Sequence, residues 1–188
     1  MTRNILEELR AEHVSMAMLL TTLERQMAFF ERAEQPDYGM VQEIISYFLD
    51  FPDQCHHPKE DMVAAKLLAL VPEQAKSLNR LATQHKEIAV LTRRFAALFR
   101  RVLNDAELPR AVILRAIIQF VTSQRHHMEM EEAHFLPLAE KMLSSDDLAE
   151  LNSKLSARQD PLTYLSADQH YSRLRDTILA WDRADQSS

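Results

Sequence analysis

The stretch His56-His57-Pro58-Lys59-Glu60-Asp61 sets a histidine and a carboxylate four residues apart, and the device returns at His126-His127-Met128-Glu129-Met130-Glu131-Glu132. Four helical residues climb about 6 Å and turn about 40° past one full turn. A His and a Glu at that spacing therefore point the same way, one above the other. An imidazole and a carboxylate aimed at one point make half of a metal site. Two such pairs on facing helices make most of a two-metal site, so the fold turns on whether the remaining chain supplies facing helices.

Composition says that it does. The 188 residues contain one glycine, too few for tight hairpins or a phosphate-cradling loop, and nine methionines in a background of helix-forming Leu, Ala, Glu, Arg and Gln. The length suits one core. With 22 basic and 28 acidic residues and a formal charge of -6, nothing points to nucleic acid. Arg93-Arg94 and Arg100-Arg101 read as a solvated helix face. Cys55 is the only cysteine, so no internal disulfide forms, and a small buried residue beside the site is the reading for it. No signal-peptide core and no membrane-length apolar run is visible, which predicts a soluble, cytoplasmic protein with no membrane partner.

The first helix starts at Asn4, with Glu7 three residues on as a capping box, and carries Leu6, Leu9, Met16, Leu20, Leu23 and Met27 on one stripe with His13 in its middle. Glu34-Gln35-Pro36-Asp37-Tyr38-Gly39 reads as a turn. A second helix spans about 40–70 with Val41, Ile45, Phe48, His56, Glu60, Val63 and Leu67 inward, and Pro52 and Pro58 predict a kink near 50–58. The third spans about 73–103 with His85 on its stripe. The fourth spans about 109–142 with Ile113, Ile117, Phe120, Gln124, His127, Glu131 and Phe135 inward, and Pro137 is expected to bend or break it. These four give an all-α, up-down-up-down four-helix bundle over residues 1–143. A C-terminal helical extension follows over 144–188, with short helices at about 146–155 and 166–181.

Each bundle helix thus places one histidine on its core stripe, His13, His56, His85 and His127, and two add a carboxylate one turn later, Glu60 and Glu131. Six such groups facing inward would make an unstable core, because an unpaired buried charge costs several kcal/mol. Two cations supply the missing compensation. His57 and His126 share faces with polar neighbours and are placed at the surface or just behind the ligands. The alternative is a helix 2 register turned at Pro58 that brings the His57 face inward. The set of imidazoles and carboxylates without thiolate suits iron first, then manganese, and zinc less well.

At these residues the chain resembles the hemerythrin-like family, the HHE cation-binding domains, over roughly 5–142. His13, His56-x-x-x-Glu60, His85 and His127-x-x-x-Glu131 carry the resemblance, with Pro58-Lys59-Glu60-Asp61 and Phe135-Leu136-Pro137 beside them. It implies two non-heme iron ions (Fe2+/Fe3+) bridged by Glu60 and Glu131, with an oxo or hydroxo link between them and histidines completing each ion. The oxygen carriers of the family use five histidines, two of them one turn apart on the third helix. Here Leu81 and Ala89 flank His85 at that distance, which leaves one ligand short, with Gln124, His134 or water to fill the gap.

The expected function is a di-iron protein that binds or reacts with O2, NO or peroxide for sensing or redox protection. The alternatives are iron storage, supply or iron-centre repair, a metal-responsive regulatory module, and a bundle without metal. The sequence leaves open whether the chain is an enzyme, whether it is a monomer or homodimer, and what protein partner it has.

Overall fold

The computed structural model describes residues 4–104 and 108–155, with 162, 174, 176 and 180, and the described elements are all helical. Helix α1, Ile5–Glu31, starts as its sequence demands. The Asn4 side chain accepts from the N–H groups of Leu6 and Glu7, and the Glu7 carboxylate accepts from Asn4 N–H. Ile5 N–H donates to Asn152 Oδ1 at 2.8 Å, and Glu8 N–H to Asn4 O, so no donor of the first turn is left over.

The turn after α1 works differently from the sequence reading. Gly39 lies inside the next helix, and Ala33 takes the left-handed conformation at φ 62°. Asp37 caps that helix by accepting from Met40 N–H. The helix is α2, Tyr38–Phe51, which runs through a π turn at Pro52–His56 into α3, His57–Leu70. A short 3-10 turn, Pro72–Gln74, leads to α4, Ala75–Leu103. Then α5, Arg110–Met130, runs through a second π turn at Glu131–Phe135 into α6, Leu136–Met142. The helix is not broken at Pro137, because the wide turn just before it takes up the missing backbone donor. Finally α7, Ser145–Ser153, begins at a Ser144–Asp147 capping box. The helix expected over 166–181 lies outside the described residues, apart from isolated positions within it.

The core comes in two parts, and their order along each helix fixes the topology. One cluster holds Met16, Leu20 and Leu23 of α1, Ile44, Tyr47, Phe48 and Phe51 of α2, Phe95 and Phe99 of α4, and Ile113, Ile117 and Phe120 of α5. The other holds Ile5, Leu6 and Leu9, then Val63 and Leu67, Leu78 and Leu81, and Phe135, Leu136 and Ala139. Going along the chain, α1 runs from the second cluster to the first, α2–α3 from first to second, α4 back again, and α5–α6 forward again. That is an up-down-up-down bundle with a polar layer between two apolar ones. In the first cluster the rings of Phe48 and Phe95 each lie 5.2 Å from that of Phe120.

Residues after the bundle also touch it. Leu151 is buried in the second cluster, and Lys66 of α3 pairs with Asp147 at 2.8 Å and Glu150 at 2.7 Å. Leu174 is fully buried in the first cluster, and its N–H donates to Glu43 Oε2 at 3.2 Å. No helix among the described residues is long and apolar enough to cross a membrane.

Two predictions follow from the packing. Phe120→Ala should cost about 3–5 kcal/mol of stability, read from denaturant unfolding, because both ring contacts go and a cavity opens. The hold on α7 should be sensitive to acid. Lys154 and Lys66 hold Glu150 down to about 2, and Lys66 with Ser144 holds Asp147 below the usual range. A depressed carboxylate stabilises fully above its ordinary value, near 4.5 for Glu150, and that contribution is lost as pH falls toward about 2. Amides of 145–153, corrected for intrinsic rates, should therefore exchange faster at pH 3 than at pH 6, and Lys66→Ala should shrink the difference.

Candidate metal centre

The polar layer holds every site residue that the sequence pattern picked out. His13 comes from α1, His56 from the first π turn, Glu60 from α3, His85 from α4, His127 from α5 and Glu131 from the second π turn, all buried. The chain brings them together in two groups. His13, His56, Glu60 and Glu131 form one, and His57, Glu60, His85 and His127 the other, with candidate donor atoms within 4.8 Å of one another in each.

His57 is a correction. Its placement at the surface assumed an unbroken 3.6-residue period. His57 N–H bonds instead to Pro52 O, five residues back, and the widened turn carries both His56 and His57 inward. His57 is buried and stacks on His85, ring centroids 4.1 Å apart and planes 12° from parallel. The turned register offered as the alternative is thus half right, since the His57 face comes in without the His56 face going out. The neighbour of His56 thus adds a fifth histidine to the layer. His134 is exposed and fills no gap, His126 is exposed as expected, and Gln124 is buried but in neither group. Cys55 packs in the first apolar cluster.

The carboxylates link the two groups. Glu60 presents Oε1 to His56 Nε2 at 3.3 Å and to His13 Nε2 at 3.8 Å, and Oε2 to His85 Nε2 at 3.2 Å. Glu131 presents Oε2 to His13 Nε2 at 3.3 Å, and Oε1 to His127 Nε2 at 3.0 Å and His85 Nε2 at 3.6 Å. Each carboxylate divides its oxygens between the groups. These approaches are close but misaligned. All four oxygens, His85 Nε2 and both His127 nitrogens are buried without a hydrogen bond. Such atoms, expensive to bury unpaired, converge on shared points rather than on one another.

Three of the outward nitrogens are braced. His13 Nδ1 lies 2.7 Å from Glu132 Oε1, His56 Nδ1 2.8 Å from Glu12 Oε2, and His57 Nδ1 3.2 Å from Asp53 Oδ1. An ionised carboxylate only accepts, so each Nδ1 donates to it and each Nε2 is turned inward. Glu132, Asp53 and Glu12 are all held below their ordinary values: Glu132 and Asp53 by the imidazoles they face, and Glu12, against the cost of burial, by His56 and then Lys59. Consequently His13 Nε2 and His56 Nε2 face each other at 3.1 Å, close enough to share one proton between them. A cation is the other partner that two such nitrogens can take.

The electrostatics say the same. Burial alone would push His56 and His85 down. The facing carboxylates of Glu60 and Glu12 instead raise His56 to about 10, and those of Glu131 and Glu60 raise His85 to about 9. Glu131 is held well below the carboxylate range, against the cost of burial, by His127, His13 and His85. His57 goes the other way, pushed down by burial despite Asp53, with His85 and His56 adding to the fall.

Sequence reasoning missed Glu12, Asp53, Lys59 and Glu132. Glu12 left a signal, being three residues after Leu9 and four before Met16, at core spacing. Asp53 stands four residues before His57, a local Asp-x-x-x-His spacing, whereas Lys59 and Glu132 act across elements and have no local signature. A family model described as Hemerythrin HHE cation binding domain matches residues 4–139. No curated protein and no solved structure matches the chain.

His57→Ala should therefore remove about one bound metal equivalent per chain or lower its affinity at least tenfold, whereas His126→Ala should titrate like the wild type. Anaerobic Fe(II) titration of both variants compares them directly. Equal retention by the two would return His57 to the surface.

Proposed function

Since this chain belongs to the hemerythrin HHE cation-binding family, we propose that it is a non-heme di-iron protein whose paired site binds or reacts with O2, NO or peroxide in sensing or redox protection. The observation that carries the proposal is the division of labour within Glu60 and Glu131, one oxygen of each to either histidine group, with all four oxygens buried and unbonded. The fit of the donor set to iron supports it further: imidazole and carboxylate throughout, no thiolate, and seven residues for two ions, more than a closed four-ligand zinc site uses.

His13 and His56 would hold one ion, His57, His85 and His127 the other, and the two carboxylates both. Two adjacent irons supply one-electron steps shared between them and a position where a small ligand can bind. The protein's own work is to prepare that position. Glu60 and Glu131 place negative charge where no solvent reaches. Glu132, Glu12 and Asp53 fix three imidazoles in one tautomer with Nε2 inward, so little ordering remains for the loading step. Phe48, Phe51, Phe95, Phe120 and Met128 form a dry wall on one side of the layer, and Leu9, Val63, Leu81 and Phe135 form the other. A cavity of about 260 Å³ between α4 and the second π turn has Glu131, Leu81 and His134 among its walls.

Iron-replete protein purified without air should contain two irons per chain by elemental analysis. Its optical spectrum should change on adding O2, NO or peroxide. The loaded protein should melt well above the chelator-treated one, because an ion that binds only the folded state stabilises it. Iron well below one equivalent with no gain on Fe(II) addition, or a spectrum indifferent to all three ligands, would sink the reading.

A further inference from the structure

A lysine buried beside a metal layer calls for an account, because burying an ammonium costs several kcal/mol unless it is paired. Lys59 is 3 % exposed. It lies on α3 one residue before Glu60, yet points to α1. Its Nζ is bonded to Glu12 Oε1 and lies 2.5 Å from Glu8 Oε1. Glu12 is 1 % exposed, and its other oxygen, Oε2, holds His56 Nδ1 at 2.8 Å. The chain Glu8–Lys59–Glu12–His56 thus runs from the rim of the bundle, where the Glu8 side chain keeps some exposure, to the inner face of the metal layer. Each link uses a different atom of its neighbour. Neither His13 nor His57 has this arrangement, since Glu132 and Asp53 are partly exposed and meet their histidines without a buried cation behind them.

We propose that Lys59 is a positioning residue for the metal centre: it anchors Glu12, and Glu12 in turn holds His56 with its Nδ1 protonated and its Nε2 aimed at the ion shared with His13. The proposal rests on the metal-binding reading above. Physically, the ammonium takes up the one carboxylate oxygen that His56 does not use. With both oxygens engaged the carboxylate has no freedom to rotate, and the imidazole it holds has none either. Without Lys59, Glu12 would be free to swing away, and His56 would lose its acceptor. The loss should fall mainly on one ion, because His57, His85 and His127 make no hydrogen bond or ion pair with Glu8, Lys59 or Glu12.

Binding of Co(II), with its optical spectrum, tests this by competition against a chromophoric chelator on wild type, Lys59→Met, Glu12→Gln and the double variant. Chelator-treated samples are compared by circular dichroism to confirm folding. In the wild type two equivalents should bind; if none does, the metal reading fails rather than this inference. Lys59→Met should weaken one equivalent by about 10–100-fold and alter its visible bands, with the other equivalent unchanged. In the Glu12→Gln background Lys59→Met should add nothing, since the lysine acts only through Glu12. Unchanged affinity and spectrum in Lys59→Met, weakening of both ions alike, or an undiminished effect in the Glu12→Gln background would each overturn the proposal. If Lys59→Met does not fold, Glu12→Gln alone decides: one equivalent weakened with altered bands supports it, and wild-type binding overturns it.

Discussion

Two carboxylates buried at the centre of a helix bundle, Glu60 and Glu131, impose the constraint on which the rest depends. Neither has a hydrogen bond, and both stay charged against the full cost of burial. Everything packed around them supplies positive charge or holds something that does. Five imidazoles turn an edge toward them. Three of those imidazoles are held from behind by Glu132, Glu12 and Asp53, and Glu12 is held by Lys59. The apolar core is split to make room for this layer, with phenylalanines on one side and mainly aliphatic side chains on the other.

Both His-x-x-x-Glu helices solve the same backbone problem in the same way. Each contains a π turn with a proline two residues beyond its end, Pro58 after His56 and Pro137 after Phe135. Proline has no N–H, and its ring crowds the carbonyl four residues back. Moving the hydrogen bond to the fifth residue relieves the crowding, and His57 N–H to Pro52 O and Leu136 N–H to Glu131 O show the moved bonds. The wider turn also enlarges the inward face. That is how Cys55, His56, His57 and Glu60 are all buried along one short stretch, which an unbroken α-helix would spread over more of its circumference.

This explains what the sequence could and could not say. Apolar spacing placed the four long helices and, with His13, His56, His85 and His127 on their stripes, identified the layer. Carboxylates one turn later marked Glu60 and Glu131. Those inferences used only the 3.6-residue period, and they held wherever the period did. The reading of His57 failed at the π turn, whose wider loop brings His57 inward beside His56, while Glu60, Val63 and Leu67 beyond it face inward as read. Prolines had been read as kinks, whereas here they accompany a change of hydrogen-bond register. The bracing pairs between helices were out of reach for another reason. Glu132 and His13 are 119 residues apart, and Lys59 and Glu12 are 47 apart, so only the packed bundle makes them neighbours.

The layer does not serve stability for its own sake. Replacing a buried ionic cluster with well-packed apolar residues is often neutral or stabilising by 1–4 kcal/mol, because the ions no longer have to be stripped of water. The two apolar clusters already lie on either side of it, and joining them through leucine and phenylalanine would give one continuous core. A chain under selection for stability alone has that simpler solution available. Instead it places charged groups on α1, α3, α4, α5 and both π turns, braces them across helices, and buries a lysine behind them. Such an arrangement lowers the cost of an ion held between the helices while raising the cost of leaving that place to the side chains alone. The cation-binding groups are thereby gathered in one layer that the two apolar clusters enclose from either side.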